Sequence, residues 1–384
     1  MRSFLLAAVA AASLVPIAAQ AGTISGQVNG LDFVATSNII GQTSTATGAG
    51  GGNPIYFAQM PKYSGVVTLI MNEGAAGNFI CSGTLLNDRR SVLTAGHCVS
   101  HGAGTANPIA TTAYFYGGAN PDTVVWQDPA STAVAVSQYF VNSGYSGEVI
   151  DQNDIAVVRL AEAAPLFATS YGVYNGGDLT GQDYNIAGYG GRSNAGGSVG
   201  VNLGTGRLRQ GDNRYDFRFG DSDFAFDGGW HPGDFGESAT TQIDYSYLAD
   251  FDNGLAAQDS SCRLAGLFAA AGGGVLGGPK YCNLGRGATE VSTAGGDSGG
   301  PQFINGMISS VTSYGLTFGT GVGDIDGKLN DTFGEFNGFV PTFIHTDFIN
   351  GAMVPEPASW ALMIVGFGLT GAAARRNRRR AVIA

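Results

Sequence analysis

The chain has 384 residues, 62 of them Gly, with only 13% charged residues and a formal net charge of −11. That acidic balance excludes the basic, phosphate-neutralising face that nucleic-acid binding needs. Abundant Gly with many Thr, Ser, Val and Tyr excludes an architecture of long helices and favours short strands joined by turns.

Residues 1–21 carry Arg2, an apolar run and the small-x-small triplet Ala19-Gln20-Ala21. They read as a secretory signal peptide removed by a signal peptidase before Gly22. Residues 22–54 contain no Lys or Arg before position 54 and end in a Gly- and Thr-rich run, GQTSTATGAGGGN. Such a run buries little apolar area, so this segment is expected to be a pro-segment or flexible arm.

From Gly65 the texture changes. Strands are predicted over 66–71, 79–81, 91–94, 113–116, 134–141, 155–160, 184–189 and 307–314, each bounded by Gly, Asn, Asp or Pro. Many short strands imply a sandwich or barrel. Residues 339–350, FVPTFIHTDFIN, fit a C-terminal helix with Pro341 in its first turn. Residues 191–260 form an expanded stretch rich in Gly, Asp, Phe and Tyr. Its clustered Asp are oxygen donors of the kind calcium takes, but the spacing fits no EF-hand, so they are read as solvated turns and no cofactor is expected.

Residues 353–384 close the chain with Pro355-Glu356-Pro357, an apolar stretch over 358–374, and Arg375, Arg376, Arg378, Arg379 and Arg380. Basic residues after an apolar segment mark its cytoplasmic side, and seventeen residues is the lower limit for a transmembrane helix, which suits a transient anchor. The segment resembles the PEP-CTERM sorting signal of Gram-negative bacteria. That resemblance implies processing by an exosortase and a periplasmic, cell-surface or extracellular destination.

The strongest chemical signal is Gly295-Gly296-Asp297-Ser298-Gly299-Gly300-Pro301, one Ser in a loop that almost no side chain crowds. Backbone N–H groups there can converge on a developing oxyanion, and those of Gly296 and Ser298 are the expected donors. Ser298 needs a base, and the chain has four His. His97, in Thr94-Ala95-Gly96-His97-Cys98 at a strand end, has the most informative setting. His101, His231 and His345 read as surface, loop and helix residues. A carboxylate must then orient the imidazole, and Asp154, opening Asp154-Ile155-Ala156-Val157-Val158-Arg159-Leu160, fits better than its rival Asp151. Four Cys in an exported chain suggest two disulfides, with three connectivities open.

TAGHC, DIAVVRL and GGDSGGP, in the order His, Asp, Ser, resemble the trypsin/chymotrypsin-like serine protease family. The resemblance implies an all-β fold of two antiparallel six-stranded barrels over 55–352, with the triad His97, Asp154 and Ser298 between them. It implies disulfides Cys81–Cys98 and Cys262–Cys282. It implies a substrate pocket with Ser292 at its floor and Ser313, Tyr314 and Gly315 beside the scissile residue. A neutral Ser292 leaves an incoming Lys or Arg uncompensated, so apolar and aromatic side chains are the expected preference. The family's activating Ile-Val-Gly-Gly-like terminus has no counterpart after a basic residue, and Ile55-Tyr56 is the nearest candidate. Two other readings remain: a catalytically silent protease-like adhesive or matrix protein, and a G-x-S-x-G esterase using His345.

Overall fold

Alternation within the apolar runs explains why they become strands shared between two cores. Val66 and Val157 face one buried cluster while their neighbours Val67 and Val158 face another, the period-2 pattern of a pleated strand. The computed structural model describes residues 17–18, 24–28, 31–36, 40–102, 105–221, 230–270 and 280–353. Most of the leader and all of the tail from residue 354, including the apolar stretch 358–374, lie outside them. Among the described residues no helix is long and apolar enough to cross a membrane.

From residue 66 onward, six strands build the first unit: β1 (Val66–Asn72), β2 (Asn78–Leu85), β3 (Ser91–Thr94), β4 (Ala110–Tyr116), β5 (Ser131–Val141) and β6 (Ala156–Leu160). They pair antiparallel in the order β2-β1-β4-β5-β6-β3, and β3 returns to β2, closing a six-stranded barrel. Val67, Leu69, Cys81, Val92, Phe115 and Val158 fill it.

The second sheet comprises β7 (Asp183–Gly188), β8 (Arg209–Arg214), β9 (Phe217–Arg218), β10 (Tyr247–Asp250), β11 (Pro301–Ile304), β12 (Met307–Thr317) and β13 (Phe336–Pro341). Its order is β8-β7-β11-β12-β13-β10-β9. The consecutive strands β8 and β9, linked by Tyr215-Asp216, form the two edges of the sheet and share no ladder among the described residues, so this unit is a half-barrel rather than a closed barrel. Tyr184, Tyr215, Tyr247 and Phe339 pack within it, with the Tyr184 and Tyr215 rings 4.4 Å apart. Val66, Leu93, Val157, Ala187, Val311 and Val340 join the two units.

Four features depart from the sequence reading. Residues 336–341 extend as β13, so the C-terminal helix α2 is Thr346–Ala352, shorter and later than expected, with Ile349 and Ala352 buried. A second helix, α1 (Ser260–Ala270), follows the expanded stretch. That stretch contributes β8, β9 and β10, and Phe219, Trp230 and Phe235 join Tyr314, Leu316 and Phe318 in one buried aromatic cluster. Its acids Asp216, Glu237, Asp250, Asp252 and Asp259 are buried; they are not the solvated turn residues expected. Finally, strands Ile24–Val28 and Leu31–Thr36 form a hairpin, and Thr36, Ala35 and Val34 pair with Gly315, Leu316 and Thr317 of β12.

Candidate active site

His97 leaves the end of β3 on a short loop, and Asp154 precedes β6, the strand paired with β3. That neighbouring pairing brings the two together. His97 Nδ1 is 2.7 Å from Asp154 Oδ2, and the His97 backbone N–H donates to Oδ1 at 2.7 Å. Ser313 Oγ, on β12, donates to Oδ2 at 2.5 Å. With Asp154 accepting, the imidazole proton resides on Nδ1 and Nε2 remains as the basic nitrogen. The Cys81–Cys98 disulfide ties the loop to β2, with Cα atoms 6.2 Å apart. Asp151 is committed elsewhere: Ser146 N–H and Oγ donate to its Oδ2, and Asn153 N–H to its Oδ1.

Ser298 sits in the turn between Val291–Ser292 and β11. Gly299 there has φ +74°, and a Cβ on it would collide with Thr94 Oγ1 and the Ala95 N–H, so only Gly lets the loop approach the His97 strand this closely. Ser82 of β2 clamps the same loop. Its N–H donates to Ser298 O at 2.8 Å, its Oγ to Gly296 O at 2.8 Å, and Tyr189 N–H donates to that Oγ. Gly296 N–H donates to no group among the described residues, as an oxyanion donor requires before substrate arrives. Asp297 is fully buried, accepts from Gly190 and Ala294 N–H, and burial holds its carboxyl well above the usual range.

The four expected pocket residues separate into different roles. Ser292 is buried and its Oγ donates to Asn337 Oδ1, which also accepts from Thr293 N–H and Oγ1. Asn337 Nδ2, with Asn337 itself 1% exposed, has no hydrogen-bond partner among the described residues. Ser313 holds Asp154. Tyr314 is fully buried, its hydroxyl against Ser246 Oγ at 2.6 Å, and Gly315 pairs with both Thr36 and Asn337. His345 places its Nδ1 at Asn142 Nδ2 and its Nε2 at Gln152 O.

Cys262–Cys282 also forms, tying α1 to the segment that leads to Ser292. Burial, then neighbouring acids, push Asp252 up to about 10. Burial raises Glu290 to about 8, Glu237 to about 8 and Asp259 to about 6. Ser82, Asn337 and Glu237 carried no motif that would single them out, each being an isolated polar residue in an ordinary-looking segment.

Residues 40–215 match the family model described as Trypsin, and residues 354–380 match the PEP-CTERM protein-sorting motif. The first match opens within Asn38-Ile39-Ile40-Gly41, upstream of Ile55-Tyr56 and inside the segment read as an arm. No curated protein matches the chain. Among solved structures, mouse neuropsin, a serine protease expressed in the limbic system of the brain, aligns at 18% identity over 77% of this chain and 97% of its own, with a TM-score of 0.47.

Proposed function

We propose that this chain, whose residues 40–215 match the Trypsin family model, is a serine endopeptidase with His97, Asp154 and Ser298 as its triad. The observation that carries the reading is the 2.7 Å contact between His97 Nδ1 and an Asp154 carboxylate held by two further donors. Nε2 of His97 takes the Ser298 proton as Oγ attacks the scissile carbonyl carbon. The N–H groups of Gly296 and Ser298 receive the charge on the carbonyl oxygen, a contribution of about 3–4 kcal/mol per donor. His97 returns the proton to the leaving amine, and water then cleaves the acyl-enzyme by the same route.

A neutral floor of Ser292 and Asn337 supports a preference for apolar and aromatic side chains over Lys or Arg. Glu290, the acid nearest in sequence, is fully buried, and its two oxygens accept from Asp252 and Arg286 N–H. Comparing kcat/KM on matched peptides with Phe, Leu, Ala or Arg before the scissile bond tests this, and a preference for Arg overturns it. Export, an exosortase-processed tail and surface sorting in a Gram-negative cell complete the proposal.

Labelling with diisopropyl fluorophosphate and peptide mass mapping separates an enzyme from a silent matrix protein. The expected adduct is on Ser298, absent from Ser298→Ala and suppressed in His97→Ala. An unlabelled mature protein overturns the triad.

A further inference from the structure

Five acidic side chains converge behind the segment that leads to Ser292. Asp250 ends β10, Asp252 follows it, Asp259 precedes α1, Asp216 lies in the bend between β8 and β9, and Glu290 precedes Val291. None is more than 3% exposed. One oxygen from each of Asp250, Asp252 and Asp259 lies within 4.8 Å of the others. Asp216 Oδ2 accepts from Asp250 N–H at 2.9 Å, and Glu290 Oε1 accepts from Asp252 N–H at 2.6 Å, which links the outer pair to the inner three.

Among the described residues no Lys or Arg side chain forms an ion pair with any of the five. Arg286 directs its guanidinium to Asp183 and gives Glu290 only its backbone N–H. Other hydrogen bonds run from Ser261 N–H to Asp250, Cys262 N–H to Asp259 and Asn283 Nδ2 to Asp216, and the Asp216 and Asp250 carboxyls hydrogen-bond to each other. Asp252 differs from its neighbours. It is 1% exposed and, among the described residues, its Oδ1 has no hydrogen-bond partner. A buried carboxylate oxygen without a donor is costly, and a bound cation removes the cost.

We propose that Asp250, Asp252 and Asp259 hold a structural calcium ion, with Asp216 and Glu290 orienting the segments that carry them. The donor set is all oxygen, with no His, and the adjacent Cys262 and Cys282 are consumed by their disulfide. Hard oxygen donors that can gather around an ion at about 2.3–2.6 Å suit calcium, with waters or carbonyls completing the shell. The ion ties the end of β10, the start of α1 and the 283–290 loop, where a Cβ on Gly285 would collide with Glu290 Oε2. It stands apart from the proposed triad and does not depend on it.

The test uses the full chain, stripped with chelator and titrated with calcium chloride by calorimetry, with thermal unfolding followed alongside. The expected result is saturable calcium binding and a rise in Tm of about 4 °C at a hundredfold excess over Kd, reversed by chelator. Asp252→Asn should lower calcium affinity at least tenfold at this site, with Asp259→Asn as a second variant should the first fail to fold. Asp326→Asn, in the separate acidic loop of Asp324, Asp326 and Glu335, should retain the wild-type isotherm. Absence of calcium binding by the wild type, or binding unchanged in a folded Asp252→Asn or Asp259→Asn protein, overturns the proposal. Both readouts are independent of peptidase activity.

Discussion

Two carboxylates three residues apart, Asp151 and Asp154, differ in what they hold, and that difference is measurable. Asp154 takes the His97 imidazole and its backbone N–H, whereas Asp151 closes its own turn through Ser146 and Asn153. Asp154→Asn should therefore leave the fold intact and lower kcat on the order of ten thousandfold by reversing the imidazole tautomer. Asp151→Asn should cost stability and leave kcat within about tenfold; a collapse of kcat there instead would reassign the carboxylate. Glu237 carries a pH signature of its own. It is 7% exposed, its Oε1 accepts Ile150 N–H, and burial lifts it from 4.5 to about 8. Folded chains keep this proton where unfolded chains release it, so the group weakens the fold as pH rises between about 5 and 8. Glu237→Gln should match the wild type near pH 5 and exceed its Tm at pH 8. Parallel Tm curves across that window would show that Glu237 is ionised in the fold.

Strands announced by continuous apolar runs were legible, since burial on both faces selects Val, Ile and Leu at successive positions, as in β1 and β6. Strand β8, RQGDNR, was not, because its polar side chains are satisfied by distant partners. Arg209 is buried with Asp122 at 2.7 Å and the carbonyls of Thr45 and Ala46, and Asn213 donates to Asp250 O and Val291 O. The same reason hid part of the site. His97 and Ser298 stand in loops whose Gly spacing is local, whereas Ser82, Ser313 and Asn337 acquire their roles only when β2, β12 and β13 are brought together. The N-terminal hairpin makes a prediction at this level. Its strand Leu31–Thr36 adds to the edge of β12 just beyond Ser313, an edge of the kind to which extended peptides add as a strand. A chain beginning at Ile39, one residue before the family match opens, should cleave an extended peptide with kcat/KM raised roughly tenfold, equivalent to about 1.4 kcal/mol of relieved competition. N-terminal sequencing of exported protein should find that same Ile39. Equal kcat/KM for the chain with and without residues 22–38 would remove the hairpin from any inhibitory role.

The C-terminal segment differs in charge from the acidic chain that carries it. The chain is acidic as a whole, yet Arg375, Arg376, Arg378, Arg379 and Arg380 crowd its last residues. The last described helix, α2, ends at Ala352, ahead of them in the chain. Ile349 and Ala352 of α2 pack into the cluster that joins the two barrel units, and Arg159 Nη2 donates to Ala352 O at 2.6 Å. The sorting motif begins at 354, immediately after that seal, so an enzyme that cuts near Pro355-Glu356-Pro357 would leave this packing whole. Removing residues 355–384 should therefore change Tm by less than about 1 °C and leave kcat/KM unaltered. Removing residues 343–384 strips Ile349 and Ala352 from the core, which costs several kcal/mol by analogy with large-to-small core changes, and should lower Tm by about 5 °C or more. Fractionating cells that express the full chain and the 355–384 deletion then isolates the tail's own role. The truncated protein should pass into the medium or periplasm while the full chain is held, at least transiently, with the cell envelope. An identical distribution of the two, at equal activity and equal Tm, would show that the tail does not address this protein.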